Sequence, residues 1–192
     1  MRKPFFPVSL NLDGRLCVVV GEASDREAVE KAAALEEAGA AVRRITDLRN
    51  VRDEDVADAF FVISTPQDEA LSARMRALAD RHGFLLCCID QPAHGFVAMA
   101  AIAKAGPVRV AISTTGLAPR VGKILKQALQ KALDARFARF VERLARMRET
   151  ERERHPRPEE APLRRRAMIE AADGFSADVR FAYPEWFDDG ER

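Results

Sequence analysis

The sequence predicts an α/β fold in which helices cover both faces of a doubly wound parallel sheet. Two observations carry this prediction. Short apolar runs alternate with amphipathic segments of helical length, and the connections between them are brief. The first run, residues 16–20, is apolar throughout, which is typical of a strand buried on both faces of a parallel sheet.

The predicted elements follow one another in a regular order. Strands are expected at residues 16–20, 41–45, 59–64, 84–89 and 108–113. Ser24 or Asp25 caps the first helix, Gly39 ends it, and a second helix runs from about Asp68 to Arg81. Residues 97–105 fit either a strand or a helix. The alternation predicts a Rossmann-like domain over residues 1–115.

The composition changes after residue 115. Apolar residues recur at helical spacing among lysines and arginines, which predicts a helix from Pro119 to about Arg154 and another from Glu159 to Ala172. An aromatic tail follows and is expected to dock in cis or on a second subunit: Phe181, Tyr183, Trp186 and Phe187. Residues 116–192 therefore form a second, helical region.

Charge and composition narrow the function classes. The chain has 192 residues and a formal net charge of +1, and charges of both signs alternate in its rear half, so no nucleic-acid partner is expected. No apolar run reaches membrane-spanning length, and the proline-broken start does not fit a signal peptide. The three cysteines lie in strand-like runs, which suits a reducing compartment. We expect a cytoplasmic protein without a membrane partner.

Parallel strands place their following loops at one edge of the sheet, where ligands bind in such folds. The loops expected to meet there include candidate dinucleotide-binding residues: Gly21, Glu22, Ala23, Asp47, Ser64 and Thr65. Asp47 stands where these folds place an acid for ribose hydroxyls. A loop of small residues precedes the basic helix, and backbone N–H groups at such a helix start favour anions. Its candidate anion-binding residues are Ser113, Thr114, Thr115, Gly116, Arg120, Lys123 and Lys126.

Four stretches follow one another along the chain: FFPVSLNLDGRLCVVVG, EEAGAAVRRIT, AFFVISTPQDEALSARMRALADRHGFLLCCIDQP and GPVRVAISTTGLAPRVGKILKQAL. In this order they resemble the precorrin-2 dehydrogenase / sirohydrochlorin ferrochelatase family, which also forms the front module of siroheme synthase. The resemblance covers residues 5–145. It implies NAD-dependent oxidation of precorrin-2 to sirohydrochlorin, in many members insertion of Fe²⁺ as a substrate, and a homodimer whose C-terminal helices contribute to the interface and the tetrapyrrole cleft.

The resemblance also assigns roles to individual residues. The family's acid–base aspartate at the end of the fourth strand matches Asp90, and the family's small-residue loop matches residues 113–119. His94 follows four residues after Asp90 and is a candidate, with Asp90, for meeting the incoming metal. Plainer interpretations stay open: Asp90 as a turn residue before Pro92, His94 as an exposed loop residue, and the basic side chains as a solvated face.

The chain departs from the family pattern at the first turn. The family opens with Val-Gly-Gly-Gly, whereas here Gly21 is followed by the acidic residues Glu22, Asp25 and Glu27. Carboxylates at this turn oppose a pyrophosphate. The proline that the family carries after the catalytic aspartate is also missing from residues 96–100. Three functions therefore remain: a dehydrogenase using NAD or NADP, a chelatase or tetrapyrrole-binding protein without NAD chemistry, and a non-catalytic binding or regulatory module.

Overall fold

A computed structural model gives the fold and describes residues 5–187. The strands are β1 (Leu16–Val20), β2 (Ala41–Ile45), β3 (Phe61–Ser64), β4 (Leu85–Cys88), β5 (Ala101–Ala105) and β6 (Val108–Ile112). The α-helices are α1 (Arg26–Glu37), α2 (Glu69–His82), α3 (Pro119–Ala132), α4 (Ala135–Arg154) and α5 (Ala161–Ala171). Among the described residues, no helix is both long and apolar enough to cross a bilayer.

The first four strands form one parallel sheet in the order β2-β1-β3-β4. Alternate residues of a strand face opposite sides, so each strand contributes to two separate cores. Val18 and Val62 pack with Met75 of α2, whereas Val19 and Ile63 belong to the core that α1 covers. Helices therefore lie on both faces, and the predicted doubly wound, Rossmann-like fold is confirmed.

Local side-chain chemistry sets the limits of the first two helices. Asp25 is the N-cap of α1 and Asp68 that of α2, each accepting hydrogen bonds from backbone N–H groups that the helix itself leaves unpaired. Gly83 ends α2 with a φ of +79°, a left-handed conformation that glycine adopts without penalty. The predicted capping role of Asp25 is confirmed.

Residues 101–105 form a strand, which settles the ambiguity left by the sequence. β5 and β6 make a separate two-stranded sheet and do not extend the parallel one. The turn between them contains Gly106, whose φ is +51°. The loop after β6 consequently reaches its position from a hairpin rather than from the edge of the main sheet.

The described chain divides into two compact units. One holds residues up to 102 together with 111–127, and therefore the parallel sheet, α1, α2 and the first part of α3. The other holds residues 103–110 and those from 128 onward. The predicted boundary between a Rossmann-like domain and a helical region at residue 115 remains a proposal.

The prediction of a single helix from Pro119 to Arg154 is wrong, because the helix is interrupted between α3 and α4. Asp134 is the reason: its carboxylate accepts a hydrogen bond from the backbone nitrogen of Phe137 at 2.8 Å and so starts a new helix. Within this second unit, Phe175 stacks on Phe140 with ring centroids 5.2 Å apart. Trp186, further along the aromatic tail, is 82% exposed.

Candidate functional site

A cavity of about 570 Å³ lies beyond the carboxyl end of β4, entirely within the first unit. Its walls come from α1, the end of β4, residues 97–101, the loop after β6 and the start of α3. The lining residues with polar or reactive side chains are Glu27, Lys31, Cys87, Cys88, Asp90, Ser113, Thr114, Thr115, Lys123 and Lys126. The structure thus brings Asp90 together with the predicted anion-binding loop.

Two residues of this lining have strained backbones. Asp90 has a φ of +58° and Thr115 a φ of +55°, and they are the two non-glycine residues with positive φ in the described part of the chain. Aspartate tolerates this region, but β-branched threonine rarely enters it. Such strain costs on the order of 1–3 kcal/mol and tends to accumulate at functional sites. Its concentration in one cavity marks this cavity as the candidate active site.

Side chains at and just before the start of α2 hold the loop that carries Asp90. Gln67 donates to Oδ2 of Asp90 at 3.1 Å. Glu69 accepts a hydrogen bond from Gln91 at 3.3 Å, and its carboxylate lies 2.7 Å from the ring nitrogen of His94. His94 is therefore engaged with Glu69 and is not part of the cavity lining, so the structure does not bring it to Asp90 as a pair of metal ligands.

The cavity carries three lysines and two carboxylates. Lys31 lies 3.5 Å from Glu27, its neighbour one turn away on α1. Lys123 and Lys126 project from α3 into the lining, whereas the predicted Arg120 does not belong to it. An excess of ammonium groups on a concave wall suits a ligand with several carboxylates.

A protonated thiol forms part of the same wall. Cys87 is 2% exposed, and burial raises its pKa to about 11. Neighbouring Cys88 is also buried, and burial raises its pKa as well. Both side chains are therefore neutral at physiological pH, and they present apolar surface and not a nucleophile to the cavity.

Glu22 and Asp47 line a second concavity, of about 620 Å³, and do not reach the cavity of Asp90. Asp47 caps a one-turn helix. Its carboxylate accepts hydrogen bonds from the backbone nitrogen of Arg49 at 3.2 Å and from the side chain of Asn50 at 2.7 Å. The loops expected to meet at one edge of the sheet are thus divided between separate concavities: those after β1 and β2 contribute to one, and those after β4 and β6 to the other.

The turn after β1 lies where the strand order reverses, between β1 and β3, the usual place for a dinucleotide pyrophosphate. Here the position is filled. Oδ1 of Asp25 accepts a hydrogen bond from the backbone nitrogen of Glu27 at 2.9 Å, and Oδ2 accepts one from the hydroxyl of Thr65. A Cβ on Gly21 would lie only 2.4 Å from that hydroxyl oxygen. As it stands, the turn does not fit a pyrophosphate.

The remaining predicted cofactor residues are placed as follows. The hydroxyl of Ser64 is fully buried and has no hydrogen-bond partner among the described residues, and Ser64 lines neither concavity. Ala23 is exposed on the turn. Within residues 5–187 there is no group of three or more His, Cys, Asp or Glu side chains arranged to hold a metal ion.

The fold is that of a Rossmann-like α/β protein with a cavity beyond the carboxyl end of a strand. Residues 8–101 match a family model described as "Putative NAD(P)-binding". The chain also superposes on a solved structure described as "SirC, precorrin-2 dehydrogenase" with a TM-score of 0.68 and 21% identity, covering 88% of this chain and 90% of that one. At this identity the likeness establishes the fold.

The chain is homologous to precorrin-2 dehydrogenases and siroheme synthases. It is 34% identical over 107 residues to the precorrin-2 dehydrogenase of Bacillus subtilis, covering 55% of this chain and 65% of that protein. It is 27% identical over 162 residues to the siroheme synthase of Nitrosococcus oceani, covering 75% of this chain and 34% of that protein. The chain therefore spans about a third of the siroheme synthases that it matches.

Sequence reasoning missed two residues of these sites, Lys31 and Gln67, and one contact of a third, Asp25. Lys31 lies in the middle of α1, where a lysine ordinarily indicates a solvated face. Gln67 belongs to no recognisable sequence motif, and its contact with Asp90 joins residues 23 positions apart. Asp25 was predicted as a cap and as a source of negative charge, but its bond to Thr65 spans 40 positions and depends on the pairing of β1 with β3. Of these contacts, the Asp25 cap is the part that a local sequence signal could reveal.

Proposed function

We propose that this chain acts in siroheme formation by oxidising precorrin-2 to sirohydrochlorin, and that the cavity of Asp90 is its tetrapyrrole site. The observation that carries the proposal is the concentration of backbone strain at Asp90 and Thr115 in one lysine-bearing cavity. The homology to precorrin-2 dehydrogenases and siroheme synthases supports it. The family match favours NAD or NADP as the cofactor.

Asp90 is the proposed acid–base group. Oxidation of a reduced macrocycle releases protons, and a carboxylate at the cavity wall can accept one from a ring carbon or a pyrrole nitrogen. The hydrogen bond from Gln67 to Oδ2 of Asp90 fixes the direction of the carboxylate and leaves its other oxygen for the substrate. We assign Gln67 as a positioning residue on this basis.

The cationic side chains are the proposed anchors of the substrate. Lys123 and Lys126 lie on α3 just after the loop of Ser113, Thr114, Thr115 and Gly116, and both lysines and the residues of this loop line the same cavity. Charge-assisted hydrogen bonds of this kind orient carboxylates on the rim of a macrocycle. Lys31 provides a third ammonium group on the opposite element, α1.

The second candidate is a tetrapyrrole-binding protein or a chelatase that does not use NAD. The specific observation in its favour is the carboxylate of Asp25 at the position where pyrophosphate binds in related folds. Insertion of Fe²⁺ as a substrate displaces two protons from the pyrrole nitrogens. Asp90 could accept them one after the other and pass each to water. His94 is a poorer candidate for metal transfer because it is engaged with Glu69.

A homodimer and a cytoplasmic location complete the proposal. The second unit exposes large apolar side chains on its helices and tail, among them Leu163, Ile169 and Trp186. Such side chains support a self-association surface. Light scattering after size-exclusion chromatography measures the oligomeric state, and a monomer at micromolar concentration would contradict this part of the proposal.

The decisive experiment is an anaerobic time course of precorrin-2 with the purified full chain, with and without NAD, followed by absorbance. We expect NAD-dependent formation of sirohydrochlorin. The Asp90→Asn variant should convert precorrin-2 at least about 100-fold more slowly, because it removes the acid–base group. Asparagine also tolerates a positive φ, so this variant keeps the strained backbone.

Asp80→Asn is the matched control. Asp80 is an exposed residue of α2 that pairs with Arg76 at 3.0 Å, and its substitution removes the same charge at a distance from the cavity lining. Its rate should stay within about twofold of the unmodified chain. Equal rates for Asp90→Asn and Asp80→Asn would refute the role of Asp90. Absence of NAD-dependent conversion, with iron insertion retained, would favour the second candidate.

A further inference from the structure

The carboxylate of Asp25 lies at the junction of α1 with the end of β3. One oxygen accepts the backbone N–H of Glu27 at 2.9 Å, and the other accepts the hydroxyl of Thr65. Thr65 is 7% exposed, and its backbone nitrogen donates to the carbonyl of Val20 at 3.0 Å. Asp25 therefore bridges the two strand ends that flank the switch point of the sheet.

This carboxylate is ionised under physiological conditions. The hydrogen bond from Thr65 is the main reason that the pKa of Asp25 is lowered, and the N–H groups of Glu27 and Ala28 and the charge of Arg44 lower it further. The backbone N–H groups at the start of the helix that follows the first strand are those that bind a dinucleotide pyrophosphate in folds of this type. In this chain they already have an anionic partner.

The other acids of the turn are not in this position. Glu27 lies 3.5 Å from Lys31, so its side chain points along α1. Glu22 lines the neighbouring concavity, and its carbonyl accepts a hydrogen bond from Arg44 at 3.3 Å. Asp25 is thus the acid of the turn whose carboxylate is bonded to the N–H groups at the helix start.

Gly21 does not leave space for a phosphate either. A Cβ on Gly21 would lie 2.4 Å from the hydroxyl oxygen of Thr65, 2.7 Å from the Cβ of Ala28 and 3.2 Å from Oδ2 of Asp25. Gly21 is therefore required for close contact between parts of the protein itself. The space that a glycine leaves for a phosphate in a nucleotide-binding turn is here occupied by side-chain atoms.

We infer that Asp25 is an internal competitor for dinucleotide phosphates: it occupies the phosphate position, and a dinucleotide binds at this turn only when the side chain leaves it. The inference concerns the cofactor site of the proposed function and rests on that proposal. It predicts that the chain binds NAD and NADP more weakly than a variant whose turn lacks the carboxylate. The Asp25–Thr65 bridge must break for each binding event.

The test is calorimetric titration of NAD and NADP into the full chain and three variants, without tetrapyrrole. Asp25→Gly exposes the helix N–H groups and costs little as a cap, and we expect its dissociation constant to be at least about tenfold lower than that of the unmodified chain. Asp25→Asn removes the charge but leaves an amide in the same place, so an intermediate gain is expected. Asp25→Ser retains a cap and replaces the glycine variant if that one does not fold.

Glu30→Gln is the matched control. Glu30 is an exposed residue of α1 paired with Arg26 at 2.9 Å, and its substitution removes one negative charge near the same helix end without touching the N–H groups. Its affinity for NAD should stay within about twofold of the unmodified chain. If Glu30→Gln gains as much as Asp25→Gly, general electrostatics and not occupation of the site sets the affinity, and the inference is wrong.

Equal NAD affinity in the unmodified chain and the Asp25 variants also overturns the inference, whether both bind tightly or neither binds. Binding of sirohydrochlorin, followed separately by its absorbance, distinguishes this failure from failure of the proposed function. Retained tetrapyrrole binding confines the failure to the role of Asp25. If the unmodified chain does not bind sirohydrochlorin, the proposed function is contradicted, whatever the nucleotide titration gives.

Discussion

Replacing Gly21 by alanine tests how tightly the turn after β1 is packed. The added Cβ would lie 2.4 Å from the hydroxyl oxygen of Thr65 and 2.7 Å from the Cβ of Ala28. Neither neighbour can rotate away at little cost. Thr65 is β-branched and held by hydrogen bonds, and Ala28 is fully buried in the core under α1. The start of α1 must therefore move away from the sheet.

The expected loss of stability follows from two costs. Overpacking of this kind costs about 1–3 kcal/mol. Displacement of α1 also weakens the hydrogen bond between Asp25 and Thr65, worth about 1 kcal/mol. We therefore expect Gly21→Ala to lower the free energy of unfolding by about 2–4 kcal/mol. Urea denaturation followed by far-ultraviolet circular dichroism measures it, with the slope m unchanged.

Gly122→Ala provides the matched control in helix α3. A Cβ on Gly122 would meet only the Cγ2 of Thr114, at 3.6 Å, which is ordinary contact. Alanine also favours a helix interior over glycine, so this variant should be as stable as the unmodified chain or more stable by up to about 1 kcal/mol. A loss below about 0.5 kcal/mol for Gly21→Ala would refute the packing argument, since that is the range of neutral surface changes.

Three further predictions concern ionisation and helix capping. Because burial raises the pKa of Cys87 to about 11, iodoacetamide should modify it far more slowly in the native protein than in urea, as mass spectrometry measures; equal rates would contradict its burial. The pKa of Asp25 is lower in the folded than in the unfolded chain, so its contribution to stability is complete above the unfolded value and is lost as pH falls through the folded one. The urea midpoint of the Asp25→Asn variant should therefore fall less steeply at acid pH than that of the unmodified chain. An equally steep fall in both would contradict this. Asp134→Ala should lower the free energy of unfolding by about 1 kcal/mol through loss of the α4 cap, and an unchanged urea midpoint would contradict that role.

The sequence was sufficient for the order of the elements and for most of their ends. The spacing of apolar residues and the chemistry of helix caps are local properties. They were enough to predict, within a residue or two, strand β1, the cap of α1 at Asp25 and the end of α2 at Gly83. Local reasoning failed where two signals competed. The apolar period continued through Asp134, and the capping hydrogen bond of that residue broke the helix.

The candidate site was predictable only in part. Asp90 and the loop of Thr115 followed from strand ends and from the family resemblance, and both line one cavity. Their positive φ values were not predictable from residue type, because threonine in particular disfavours that region. The surrounding structure imposes this conformation, and a chain segment by itself carries no sign of it.

The sequence by itself determined that strands and helices alternate, that helices cover both faces of the sheet, and that an acidic turn follows β1. Only the tertiary structure decided that the carboxylate of Asp25 meets Thr65 and that Glu22 and Asp47 line a different concavity from Asp90. The physical reason is distance along the chain. Periodicity and capping act within a few residues, whereas these contacts depend on strand register and on the order of the strands in the sheet.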